Sequence, residues 1–154
     1  MVRLTETART TLSREDAFRY IGDFGNIDRW DPGVVSATKA TDGEPSVGTA
    51  YDVVVAYGGR EVAMQYVITD HQAGKKIVLE GTGARVKAID VIDFVDEGSG
   101  TLITYTADLS LIGIARFFEP FMKGRFGQIG DAAGQGLRRW LSELEVGAGT
   151  VADR

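Results

Sequence analysis

The sequence predicts an α+β fold in which an antiparallel sheet packs one face against a long C-terminal helix. Between residues 34 and 111, apolar and polar side chains alternate in short segments separated by glycine-containing turns, as in β-strands. After residue 113 the apolar residues recur every three or four positions, which indicates an amphipathic helix. At roughly 100–200 residues per domain, the 154 residues make one domain. We place this domain at residues 1–145.

The N-terminal segment predicts one strand followed by two short helices. Residues 3–12 are rich in threonine and alternate loosely, which favours a strand. Ser13 precedes Asp16 at the spacing of a helix N-cap, and Gly22 ends this first helix. A short second helix carries Trp30 and stops at the following Pro-Gly pair.

Six further strands and a terminal helix follow. The strands are predicted at residues 34–41, 50–57, 61–70, 77–82, 86–95 and 101–111. The helix is predicted from Ile114 to Glu145, where the apolar residues form one stripe. Residues 146–154 show no periodicity and are predicted to form a disordered tail.

The hairpin turns set the expected register of the sheet. They are predicted at Gly58-Gly59, Ala73-Gly74, Gly83-Ala84 and Gly98-Ser99. All four place the same apolar set on one face, which predicts an antiparallel meander with one buried face. The third turn pairs Leu79 with Ala88, and it leaves Asp90 on the buried face between Ile77 and Ala107. A carboxyl group among apolar neighbours is costly unless it is paired, and burial raises its pKa.

Composition and charge exclude several classes of function. The absence of cysteine excludes disulfides and thiolate chemistry, and the single histidine, His71, excludes a multi-histidine metal site. A net charge of −5 argues against nucleic acid and anionic membranes as main partners. No apolar run approaches the ~20 residues that span a bilayer, and the N-terminus lacks the apolar stretch of a secretory signal. We therefore expect a cytoplasmic protein that uses no metal or other cofactor.

The order of the elements and several short motifs carry a resemblance to a known superfamily. The motifs are Trp30-Asp31-Pro32 after the short helices, Val47-Gly48-Thr49 before a strand, Gly100-Thr101-Leu102-Ile103-Thr104-Tyr105 after the last hairpin, and a terminal helix running from Pro120 to Trp140-Leu141. With these features the chain resembles, over residues 3–145, the START-like superfamily, also called SRPBCC or pollen-allergen-like. Within it, the chain looks most like the bacterial polyketide cyclase/dehydrase family.

The resemblance implies a helix-grip fold, in which a strongly bent seven-stranded antiparallel sheet wraps around the C-terminal helix. It also implies a hydrophobic cavity between sheet and helix for lipids, sterols, polyketides or other apolar molecules. The superfamily has no shared catalytic signature, so no catalytic residue carries over. The expected walls are inward-facing strand residues and the inner stripe of the last helix: Trp30, Tyr51, Val53, Val55, Tyr57, Met64, Tyr66, Ile68, Ile77, Leu79, Ile92, Tyr105, Ala107, Leu109, Phe118, Phe121, Met122, Phe126, Ile129 and Ala133.

Three functions remain open from the sequence. The first is binding of a small or medium hydrophobic molecule, such as a lipid or a polyketide-like aromatic, by a monomer or weak homodimer. The second is a cyclase, dehydrase or isomerase in which Asp90 acts as base and a cavity tyrosine acts as hydroxyl donor; Tyr57, Tyr66 and Tyr105 are the candidates, and Tyr105 is assigned as the catalytic one. Asp90 has two alternative interpretations: it is paired with a nearby basic residue or tyrosine, or the strand is shifted by one residue so that Asp93 points inward. The third function is a protein-interaction module that uses the aromatic cluster at residues 117–126.

Overall fold

Seven strands and three α-helices make up the described residues, 1–152, of the computed structural model. The strands are β1 (Val2–Thr10), β2 (Val34–Lys39), β3 (Ala50–Tyr57), β4 (Arg60–Gln72), β5 (Lys76–Gly83), β6 (Val86–Glu97) and β7 (Gly100–Leu111). The helices are α1 (Arg14–Ile21), α2 (Ile27–Trp30) and α3 (Glu119–Ala152), with 3₁₀ helices at Phe24–Asn26 and Gly113–Phe118. The strands form one antiparallel sheet in the order β1-β7-β6-β5-β4-β3-β2, and this sheet curls around α3. The expected helix-grip fold is confirmed.

The first helix begins and ends where the sequence predicts. The Ser13 hydroxyl accepts a hydrogen bond from the backbone N–H of Asp16 at 3.1 Å, which satisfies one of the free donors at the start of α1. At the other end, the N–H of Gly22 donates to the carbonyl oxygen of Phe18 at 2.8 Å. These caps fix α1 so that Ile21 is buried against the sheet.

Three of the four predicted hairpin registers are confirmed. The pairs include Val53 with Met64, Ile68 with Leu79, and Phe94 with Ile103. The turn between β4 and β5 is one residue longer than predicted, because Gln72 pairs with Lys76. A bulge between Ile68 and Asp70 compensates for the extra residue, and the predicted register therefore returns beyond the bulge.

The fourth register, between β5 and β6, differs from the prediction by two residues. Leu79 pairs with Asp90 rather than with Ala88, so the predicted pairing of Asp90 with Ile77 is also wrong. A shift of two residues keeps the same side chains on the same face. Asp90 therefore still faces inward, now between Leu79 and Ala107.

The difference in register has a local cause at Gly83, which the sequence predicts as a turn residue. Gly58 and Gly59 both adopt positive φ angles, 60° and 78°, as a tight two-residue hairpin requires. Gly83 does not have a positive φ and stays within β5, so the turn falls on Ala84 and Arg85. A Cβ atom on Gly83 would lie 3.1–3.3 Å from three neighbouring atoms, which accounts for the absence of a side chain there.

The C-terminal helix is longer and starts later than predicted. Residues Gly113–Phe118 form a 3₁₀ helix after Gly113 turns the chain with φ +64°, and α3 begins only at Glu119. Pro120 occupies the first turn of α3, where its missing N–H removes no helical hydrogen bond. The helix continues past Glu145 to Ala152, into the segment predicted as a disordered tail, whose last two residues lie outside the described part of the chain. Within residues 1–152 no helix combines the length and the hydropathy needed to cross a membrane.

One half of the inner sheet face forms a closed core. α1 and the first 3₁₀ helix cover this half, and the ring of Phe24 lies 6.0 Å from that of Tyr51. The inward side chains beneath them are at most 1% exposed: Tyr51, Ile68, Ile77, Leu79 and Ile92. Over the other half of the face, α3 packs along β1 and leaves a cavity between itself and the remaining strands.

Candidate functional site

A cavity of about 460 Å³ lies between the inner face of the sheet and α3. Its volume falls within the roughly 300–1,000 Å³ typical of small-molecule sites. Its mouth lies at the end of the sheet that carries the β3–β4 and β5–β6 turns, because the wall residues Arg85 and Phe118 are exposed there. Trp30 and Phe24, both buried, close the opposite, inner end.

Most of the predicted wall residues lie on this cavity. On the strands and α2 they are Trp30, Val53, Val55, Tyr57, Met64, Tyr66, Tyr105, Ala107 and Leu109, together with the predicted catalytic residue Asp90. On α3 and the residue before it they are Phe118, Met122, Phe126, Ile129 and Ala133. The alternation of the strands and the three- and four-residue spacing of the helix therefore select the correct faces.

Six predicted wall residues do not line the cavity. Five of them, Tyr51, Ile68, Ile77, Leu79 and Ile92, point to the correct side of the sheet but lie in the half that α1 covers. The sixth, Phe121, is 84% exposed because it precedes Met122 by one residue and so lies about 100° away from the inner stripe of α3. The local sequence pattern therefore predicts which face of the sheet a side chain occupies. It does not predict where along that face the cavity lies.

The prediction also missed wall residues with useful chemistry. Glu6 on β1, Asp31 after α2 and Arg85 at the mouth bring charged groups to the wall. The sequence feature that could have identified Asp31 as a wall residue is its position next to Trp30 in the Trp-Asp-Pro motif. A Cβ atom on Gly134 of α3 would meet the carboxyl group of Glu6, so the helix passes close to β1 at this point.

The inner part of the wall carries a buried carboxyl group paired with a phenol. Asp90 is 2% exposed, and its Oδ2 accepts a short hydrogen bond from the hydroxyl of Tyr105. The other carboxyl oxygen, Oδ1, is buried and has no hydrogen-bond partner among the described residues. Burial raises the pKa of Asp90 to about 7, even though the hydrogen bond from Tyr105 opposes the rise. Near neutral pH this side chain is therefore poised between its acid and carboxylate forms.

The surroundings of the pair are largely apolar and keep the phenols protonated. The ring of Trp30 lies edge-on to that of Tyr105, with centroids 5.5 Å apart. Burial, followed by the nearby Asp90 carboxyl, raises the pKa of Tyr105 and of Tyr66 well above the usual value. Burial also raises the pKa of Asp31, whose Oδ1 accepts the N–H of Gly33 at 2.8 Å. The tyrosines therefore stay hydroxyl donors across the physiological range.

Asp93, the alternative inward carboxylate, lies on the outer face. It is half-exposed and forms an ion pair with Lys76, with 3.8 Å between Nζ and Oδ1. The register of β6 and β7 places Asp90 on the inner face opposite Ala107. The alternative in which the strand is shifted by one residue is therefore wrong.

The aromatic cluster at residues 117–126 divides between the cavity and the surface. Phe126 is buried, and its ring stacks on that of Tyr57 with 5.6 Å between the ring centroids. The Tyr57 hydroxyl is also buried and has no hydrogen-bond partner among the described groups. Phe117 is 66% exposed and Phe121 is 84% exposed, beside the mouth. The guanidinium of Arg116 lies over the ring of Phe117 at 5.1 Å. Phe117 and Phe121 thus form an exposed apolar surface, whereas Phe118, Met122 and Phe126 line the cavity.

The described residues contain no set of three or more histidine, cysteine, aspartate or glutamate side chains that could hold a metal ion. The polar groups that converge on the cavity are carboxyl, phenol and guanidinium groups. The chemistry available there is hydrogen bonding and proton transfer.

Comparisons with known proteins agree with this architecture. A family model described as "Polyketide cyclase / dehydrase and lipid transport" matches residues 1–142. No curated protein sequence matches the chain. The match to the family model therefore indicates a family, whereas the solved structures described next indicate the fold.

Three solved structures illustrate the similarity of fold. A START superfamily protein from Mycobacterium smegmatis has a TM-score of 0.73 at 18% identity, over 92% of this chain and 98% of that one. A protein from Deinococcus radiodurans has a TM-score of 0.71 at 14% identity, over 96% and 99%. Ara h 8.0201 has a TM-score of 0.58 at 12% identity, over 92% and 97%.

Proposed function

The chain belongs to the polyketide cyclase/dehydrase and lipid transport family, and from this premise we propose that it binds a small or medium-sized hydrophobic molecule in the cavity between the sheet and α3. The observation that carries the proposal is the cavity itself, about 460 Å³ behind an exposed mouth and lined mainly by aliphatic and aromatic side chains. Wall atoms that face a void lose dispersion contacts, and an apolar ligand restores them. We keep the expectation of a cytoplasmic protein that is a monomer or weak dimer.

A cavity-filling variant tests this proposal. Ala133 lies on the cavity wall within α3, so Ala133→Leu places three additional carbon atoms in the binding volume. The matched control is Ala148→Leu, an exposed position of the same helix. The probe is the apolar dye 8-anilinonaphthalene-1-sulfonate, whose fluorescence increases on transfer to an apolar site.

The expected result is saturable binding by the wild type and by Ala148→Leu, and binding weakened at least tenfold in Ala133→Leu. A bound ligand should also raise the melting temperature of the first two proteins by mass action. Equal dye affinity in all three proteins would contradict binding in this cavity.

A second function, proton transfer next to a carbonyl group, is favoured by one specific observation. Asp90 has a pKa of about 7 and accepts a hydrogen bond from Tyr105 in an apolar enclosure. A base with a pKa near the working pH is well suited to abstract a proton α to a carbonyl, and a phenol donor stabilises the resulting enolate. Cyclase and dehydrase reactions both include such a step.

Hydrogen–deuterium exchange at a bound ketone tests this second function. The probe is 1-tetralone in D₂O, with NMR used to follow loss of the α-proton signal. If Asp90 acts as the base, the wild type accelerates exchange and Asp90→Asn abolishes the acceleration. Asp93→Asn retains it, because Asp93 lies on the outer face. The acceleration should rise as pH passes through about 7, when Asp90 ionises. No acceleration in a wild type that binds the ketone would favour the binding function alone.

A further inference from the structure

Asp90 has an unused hydrogen-bond acceptor on the cavity wall. Its Oδ2 is occupied by the hydroxyl of Tyr105, whereas its Oδ1 is buried without a partner within residues 1–152. A buried acceptor left unpaired lowers stability, and most such atoms in folded proteins have a partner. An ionised carboxylate can only accept hydrogen bonds, so the group that completes this site is a donor.

The other polar groups at the inner end do not supply that donor. Asp31 is a second acid, and its Oδ1 already accepts the N–H of Gly33. The hydroxyl of Tyr66 lies 3.9 Å from the sulfur of Met64, and no hydrogen bond connects it to Asp90. The inner end therefore offers acceptors in excess of donors.

The charges on the wall determine which end of a ligand can carry a negative group. Arg85 is the one cationic side chain among the described wall residues, and it lies at the mouth on the turn between β5 and β6. A ligand carboxylate at the inner end would lie beside Asp31 and Asp90 without a counter-ion, which is unfavourable in an apolar enclosure. A ligand anion is therefore directed to the mouth.

We propose that the inner end of the cavity selects apolar molecules that carry a hydrogen-bond donor, such as a hydroxyl or amino group, and that Asp90 is the residue that accepts it. This inference rests on the proposed binding function and adds the class and the orientation of the ligand. The ligand enters with its donor first, its hydrocarbon body contacts α3 and the strands, and any anionic group stays near Arg85.

A pair of ligands that differ in the donor tests the inference. The probes are 2-naphthol, which donates a hydrogen bond, and 2-methoxynaphthalene, in which a methyl group blocks the same oxygen. Binding is measured by isothermal titration calorimetry at pH 8, where the Asp90 carboxyl is mostly ionised. The titratable groups that share this environment are Glu6 on β1, Asp31 after α2, Tyr66 on β4, and Tyr105 and Asp108 on β7.

Three variants make the readout specific to Asp90. The wild type should prefer 2-naphthol by roughly ten- to a hundredfold, the usual value of a hydrogen bond to a charged group. Asp90→Asn should lose that preference, and the matched control Asp93→Asn on the outer face of the same strand should keep it. Tyr105→Phe frees both oxygens of Asp90 but removes a donor that lowers its pKa, so it should keep a preference for 2-naphthol that strengthens as the pH is raised above 8.

The possible failures are distinguishable. If both naphthalenes bind with equal affinity, or if the preference survives in Asp90→Asn, the donor inference is wrong while the binding function stands. If neither naphthalene nor the anilinonaphthalene dye binds the folded protein, both the inference and the proposed function are wrong.

Discussion

Replacing the buried carboxyl group of Asp90 by an amide should change how the stability of the protein depends on pH. Asp90 is 2% exposed, and burial raises its pKa in the folded state from the ordinary 3.8 to about 7. In the unfolded chain the pKa returns to roughly 3.9. Between these two values the folded protein holds a proton that the unfolded chain has released. The free energy of unfolding therefore falls as pH rises through this window.

The size of the effect follows from the two pKa values. A difference of roughly three pH units corresponds to about 4 kcal/mol once the pH is well above 7. Between pH 5 and pH 8, linkage assigns about 2.5 kcal/mol of this loss to Asp90. Asp90→Asn cannot titrate, so it should lack this part of the pH dependence. At pH 8 the variant should be the more stable protein, because an amide leaves the cavity wall without a buried charge.

Urea unfolding at pH 5 and pH 8 measures the effect directly. The quantity to compare is the difference in unfolding free energy between Asp90→Asn and the wild type, because the contributions of all other titrating groups cancel in it. Asp93→Asn serves as the control and should follow the wild type, since it retains Asp90. If this difference is the same at pH 5 and pH 8, Asp90 is already ionised in the folded protein at pH 5. The assignment of a raised pKa by burial would then be wrong.

Three further predictions concern the hydrogen bond, the wall and the helix. Tyr105→Phe removes the donor that lowers the pKa of the buried carboxyl, so the fall in stability should move to higher pH in the same urea experiment. Phe126→Ala should lower the unfolding free energy by about 3 kcal/mol. Phe121→Ala, at an 84% exposed position, should change it by less than about 0.5 kcal/mol. Equal losses in the two variants would contradict the division of the aromatic cluster between cavity and surface. Gly124→Ala should raise the melting temperature because the position is open and alanine favours the helix by ~1 kcal/mol. Gly136→Ala should lower it, because the added Cβ overlaps a main-chain carbonyl of α2; the same sign for both would contradict the packing of α3.

The strand faces and most registers could be predicted because they depend on local sequence patterns, namely the alternation of apolar and polar residues and the positions of the turns. Gly58 and Gly59 adopt the positive φ angles that a two-residue hairpin needs, so this turn was placed correctly. The sequence predicts Gly83 as a turn residue as well, but a side chain at this position would crowd close neighbours. The turn itself lies one residue further along. A sequence does not distinguish a glycine that turns the chain from one that makes room for a neighbour.

The position of Asp90 on the inner face could also be predicted, because a two-residue error in register leaves every side chain on its face. The predicted register between β6 and β7 also places Tyr105 diagonally across from Asp90 on the same face, and their hydrogen bond bears out the interpretation that Asp90 is paired with a nearby tyrosine. The extent of the cavity depends on where α1 lies over the sheet, and for this reason Ile77 and Leu79 were expected on a wall and lie in the closed core. Such long-range packing has no signature in residue spacing.

The central claim is that the cavity holds a hydrophobic ligand, and native mass spectrometry of the protein purified from its own host tests it most directly. We predict a retained mass that disappears when the protein is denatured, and a released apolar molecule with a hydroxyl or amino group. The same measurement on Ala133→Leu should show a reduced bound fraction, because that substitution fills part of the cavity. A folded wild-type protein that carries no added mass, and gains none when incubated with apolar extracts of the host, would contradict the claim.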